Sequence, residues 1–120
     1  MKLDVVQLFR AADELARYLY SQGARKIQVS WDFAPSRSFC ALFAPELVLD
    51  PREREKLDRI FSGPIQPEIA SYYGGLAGRR RDEPELELLG TMTELEELFS
   101  QEDTGTRIVI SRREAEYFGT

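Results

Sequence analysis

Histidine is missing from all 120 residues. Its absence excludes a histidine phospho-acceptor, a His-ligated zinc and any Ser-His or Cys-His nucleophile pair. There is one cysteine, Cys40, so no internal disulfide can form. Nothing near it in the chain lowers a thiol pKa, and it is expected to be a small core residue. No apolar run approaches the length of a membrane span. The basic-then-apolar opening of a signal peptide is also missing. A reduced cytoplasmic setting with no membrane partner is the expectation. The net charge of −5 argues against nucleic acid as a partner. Internal repeats and low-complexity stretches are absent.

What is present fits a single domain over residues 1–120, with 42% hydrophobic and 31% charged residues. The chain is organised around the stretch from Asp13 to Phe33. Before it and into it, Val5, Leu8, Phe9, Ala12, Leu15, Ala16 and Leu19 fall at helical spacing and predict one amphipathic helix. Asp4 fits an N-cap with Gln7 in the capping-box position, and Gly23 fits the left-handed residue past the helix end. The period then changes to two. Ile27, Val29, Trp31 and Phe33 share one face of a strand expected to be buried, and Lys26, Gln28, Ser30 and Asp32 share the other.

Ala34-Pro35-Ser36-Arg37 reads as a turn, so Lys26–Phe33 and Ser38–Ala44 predict a hairpin. Phe39, Ala41 and Phe43 alternate with Cys40, Leu42 and Ala44, and two apolar faces suit a central strand. Asp50-Pro51-Arg52-Glu53 opens a second helix with Leu57, Ile60 and Phe61 as its buried stripe. Pro67 can open a third, carrying Ile69, Ala70, Tyr72, Tyr73, Leu76 and Ala77. Glu85–Leu89 alternates as a strand closed by Gly90. Thr93-Glu94-Leu95-Glu96 has a capping-box pattern that predicts a short helix through Phe99, with a strand as the alternative. Thr106–Ser111 is the last strand, with Ile108 and Ile110 on one face. The tail offers Tyr117 and Phe118 as an anchor. Glu94, Glu96, Glu97, Glu102 and Asp103 match no calcium loop and read as a solvated face.

Several of these segments resemble the histidine-kinase-type ATPase family (the Bergerat, or GHKL, fold). Glu14-Leu15-x-x-Tyr18-Leu19-x-x-Gln22-Gly23-Ala24, followed by a strand, resembles its first box. Tyr73-Gly74-Gly75-Leu76-Ala77 resembles its glycine box, and Thr104-Gly105-Thr106-Arg107 its closing strand. Leu49 to Phe61 resembles the helix that follows its second box. The departures are as informative. Tyr18 stands where the family has its magnesium-binding asparagine, Ser21 where it has lysine and Gln22 where it has histidine. Ala44-Pro45-Glu46-Leu47-Val48-Leu49 stands where D-x-G-x-G would read adenine.

The resemblance implies an α/β two-layer sandwich in the order α-β-β-α-α-β-β, with a mixed or antiparallel sheet of about four strands and helices on one face. It implies a degenerate domain with no catalytic residue, no metal and no cofactor, acting by binding a protein in bacterial signalling. The vestigial nucleotide pocket or partner surface would comprise Glu14, Tyr18, Tyr72, Tyr73, Gly74, Gly75, Arg79, Arg80 and Arg81. The arginines also suit a helix C-terminus or a phosphate clamp. A homodimer stays open. So do two alternatives. One is a nucleotide-binding relative of the anti-sigma-factor serine kinases with Glu14 as base. The other is an unrelated α+β ligand-binding domain with Trp31, Phe33 and the tyrosines lining its pocket.

Overall fold

The computed structural model describes residues 3–62 and 84–114. The elements are α1 (Leu3–Ser21), β1 (Gln28–Phe33), β2 (Arg37–Ala44), α2 (Pro51–Ile60), α3 (Pro84–Met92), β3 (Glu94–Gln101) and β4 (Gly105–Arg113). The order is the predicted α-β-β-α-α-β-β. The strands form one antiparallel sheet in the order β1-β2-β4-β3, and the helices pack on it as a second layer.

Local chemistry sets the boundaries. Gly23, at φ +109°, ends α1. The amide of Ala24 donates to the Leu19 carbonyl at 3.0 Å and that of Gly23 to the Tyr20 carbonyl at 3.0 Å, the paired bonds of a Schellman stop. Asp50 caps α2, accepting from the Arg52 amide at 2.8 Å, with Pro51 opening the first turn. Asp4 does not cap α1. The helix already includes it, and its carboxylate is held instead by Arg112 from the far end of the chain.

The segment from 84 to 101 differs from the sequence reading in its element types. Glu85–Leu89 belongs to a helix, not a strand, because Leu86, Leu89 and Met92 recur every three residues and all three are buried. Gly90 lies inside that helix. The stretch after it, predicted first as a helix, is strand β3. The Thr93 hydroxyl does not cap a following helix. It bonds back to the Leu89 carbonyl at 2.9 Å and closes α3.

The core is the helix-facing side of the sheet. Cys40, Leu42 and Ala44 of β2 and Ile108 and Ile110 of β4 are buried there against Leu8, Leu15 and Leu19 of α1, Leu57 of α2 and Leu89 of α3. Burial pushes the Cys40 thiol up to about 12, in keeping with an inert core residue. β2 is central, with Phe39, Ala41 and Phe43 half-buried on its other face. A hydroxyl relay fastens the loop after β2 to the sheet. The Leu49 amide donates to Ser100 at 2.7 Å, Ser100 to Thr106 at 2.8 Å, and Thr106 to the Leu47 carbonyl at 2.7 Å. Among the described residues, no helix is long and apolar enough to cross a membrane.

Candidate functional site

Strand register lines up three side chains on the helix-facing side at one end of the sheet. Phe33 is opposite Ser38, and Ser38 is opposite Arg112. The first turns of α1 close over this row with Asp4, Val5 and Phe9. Together with Pro35 of the hairpin turn and Glu114, they bound a cavity of about 560 Å³. Its floor holds the buried ion pair. Arg112 Nε donates to Asp4 Oδ1 at 2.9 Å, and Nη1 donates to the Met92 carbonyl. The remaining nitrogen, Nη2, makes no hydrogen bond among the described residues.

Beside the cavity three aromatic rings touch. Phe9 and Trp31 have centroids 4.5 Å apart, Phe9 and Phe33 6.1 Å, and Trp31 stacks on Phe33 at 5.9 Å with planes 6° apart. The face of β1 predicted to be buried is therefore only partly so. Trp31 packs on the core, but Val29 and Phe33 stay 43% and 53% exposed, because β1 is the sheet edge and α1 covers only part of it. Such a surface binds by burying apolar area, and tryptophan and phenylalanine give the largest return per side chain.

Of the residues that sequence reasoning put at a site, Tyr72, Tyr73, Gly74, Gly75, Arg79, Arg80 and Arg81 lie outside the described residues, as do the helix opened by Pro67 and the tail anchors Tyr117 and Phe118. Glu14 and Tyr18 lie one turn apart on α1. Tyr18 is buried, and its hydroxyl donates to Glu53 Oε1 of α2 at 2.8 Å. Lys56 Nζ pairs with the same oxygen at 3.1 Å and lies 5.7 Å from the centre of the Tyr18 ring. The Tyr18 hydroxyl, and to a lesser degree Lys56, holds the Glu53 carboxyl below the usual carboxylate range. Tyr18 is thus a latch between two helices.

This latch gives a test. Tyr18→Phe is expected to lose about 1 kcal/mol of unfolding free energy at pH 7, the worth of a part-buried bond to a charged group. Glu53 has a lower pKa folded than unfolded, so its contribution is complete above the unfolded value and fades as pH falls through the folded one. Urea titrations should therefore show the difference between the two proteins closing below about pH 4.

The acidic residues read as a solvated face sit on β3 and its turn. Arg37 holds Glu94 at 3.2 Å and Glu96 at 2.8 Å, and Arg107 holds Glu97 at 3.3 Å. Among the described residues no cluster of three metal-binding side chains forms. One D-x-G does occur, Asp103-Thr104-Gly105, but it makes the β3–β4 turn and does not end β2.

The cavity draws its residues from both ends of the chain, so no local motif announces it. The available signal was Arg112. It continues the alternation of Ile108 and Ile110, and an arginine on a core face demands a buried acid. No protein-family model matches this chain, and no curated protein is significantly similar to it in sequence.

Proposed function

We propose that this chain is a non-catalytic regulatory domain of cytoplasmic bacterial signalling that works by binding another protein, on a frame like that of the histidine-kinase-type ATPases. The observation that carries the reading is the aromatic trio. Phe9, Trp31 and Phe33 are held in mutual contact, and Phe9 and Phe33 are left at the surface over the half-buried Trp31, at a cavity with a charged floor. Tyr18 supports the non-catalytic part. In the sequence resemblance it stands where that family has its magnesium ligand, and its hydroxyl is engaged by Glu53.

Isothermal titration calorimetry tests this directly. ATP and ADP, with and without magnesium, should give no heat and no thermal shift at roughly millimolar concentration, a range that detects even weak binding. Tyr18→Asn should behave the same way. Micromolar nucleotide binding by the native chain would overturn the reading. Trp31 is the only tryptophan in the chain, so its emission reports partner binding at the trio.

A further inference from the structure

The two edges of the sheet are built differently. β3 carries Glu94, Glu96 and Glu97, and its pairing is interrupted between Leu95 and Glu97. Charge and a bulge are the usual protections of an edge strand. β1 has neither a bulge nor a proline, its pairing with β2 is unbroken from Gln28 to Phe33, and its one charge is Asp32.

The backbone of β1 points outward at known positions. The Ala34 amide donates to the Arg37 carbonyl at 3.2 Å, which makes that facing pair hydrogen-bonded. Hydrogen-bonded pairs alternate along an antiparallel ladder. Asp32, Ser30 and Gln28 therefore bond to β2, whereas Val29, Trp31 and Phe33 aim their N–H and C=O groups at the open edge.

We propose that β1 is a self-association edge. Two copies pair antiparallel about a two-fold axis at Val29, joining their four-stranded sheets into one. This register sets Val29 opposite itself and, carried one residue before β1, Ile27 opposite Trp31; Val29 and Trp31 lie on the helix-facing side with their backbone groups outward. Carried two residues before β1, the same register sets Lys26 opposite Asp32 on the other side, twice by symmetry. Both residues are exposed, and neither makes an ion pair within the described part of the chain. A register centred on Ser30 would set Lys26 opposite Ala34 and Asp32 opposite Gln28, leaving both charges unmatched. The positions that test it, Lys26, Val29 and Asp32, do not line the cavity, so their variants leave the reading of the cavity untouched.

Sedimentation equilibrium of the full chain tests it. The native protein should approach twice its 13.8 kDa mass with rising concentration. Lys26→Asp or Asp32→Lys alone should raise the dimer dissociation constant about tenfold, because like charges then face each other at two places. The Lys26→Asp/Asp32→Lys double variant should return it to near the native value. Val29→Pro should abolish the dimer and spare the hairpin, since the Val29 N–H makes no bond to β2. A native chain that stays monomeric up to about 1 mM overturns the proposal. So does a dimer indifferent to the single reversals and to Val29→Pro.

Discussion

Arg112→Met is expected to lose about 3–5 kcal/mol of unfolding free energy, a large share of what holds an ordinary domain folded. The size follows from what remains behind. The Arg112 and Asp4 side chains are only 9% and 8% exposed. Removing the guanidinium takes from the buried Asp4 carboxylate its bond to Arg112, and takes from the Met92 carbonyl the donor that Arg112 supplies. Arg112→Lys keeps the charge but cannot reach both acceptors with a planar fork, so it should fall between the two. The decisive comparison adds Asp4→Leu to Arg112→Met. With both charges gone, most of the loss should return, since two apolar side chains of similar volume can replace a buried pair. Denaturant unfolding of the four proteins measures this. If Arg112→Met alone moves the midpoint by less than about 1 kcal/mol equivalent, the pair is not buried as described.

Gly90→Ala should destabilise by about 2–3 kcal/mol, against the usual sign of such a change in a helix. Intrinsic propensity favours alanine there by about 1 kcal/mol. Geometry outweighs it. A Cβ built on Gly90 collides with the carbonyl oxygen of Ile60 at the end of α2 and lies 2.8 Å from its carbonyl carbon. The obstacle is backbone, so no rotamer change relieves it. α3 must move off α2, loosening Leu57 and Leu89, both essentially fully buried. The measurement is the urea midpoint, and a stabilised Gly90→Ala variant would show that the helices do not approach this closely.

The hairpin and α2 were legible in the sequence because their signals are local and unopposed. β1 and β2 alternate on either side of a proline turn, and Asp50-Pro51 has one structural meaning. The region from 84 to 101 misled because two periods fit it. Glu85, Leu86, Glu87 and Leu88 alternate, but Leu86, Leu89 and Met92 make a helical stripe. The adjacent Leu88-Leu89 already breaks the alternation. Thr93 kept its capping chemistry but applied it to the helix behind it. Tyr18 was legible as a special position through the resemblance, whereas its role as a latch needed Glu53, 35 residues away. The cavity needed Arg112 to meet Asp4 across 108 residues, and the last strand was read as ending one residue too soon to include it.

The place of β4 in the sheet has a consequence for the chain as it leaves the ribosome. β4 lies between β2 and β3, so neither neighbour has its full set of partners until residue 113 has emerged. Before then the β1–β2 hairpin is a two-stranded ribbon, marginal by itself in water. Synthesis runs at about 5–20 residues per second, so the hairpin waits several seconds for the strand that completes it. Throughout that interval Cys40, Leu42 and Phe43 are open to any chaperone that recognises an apolar strand.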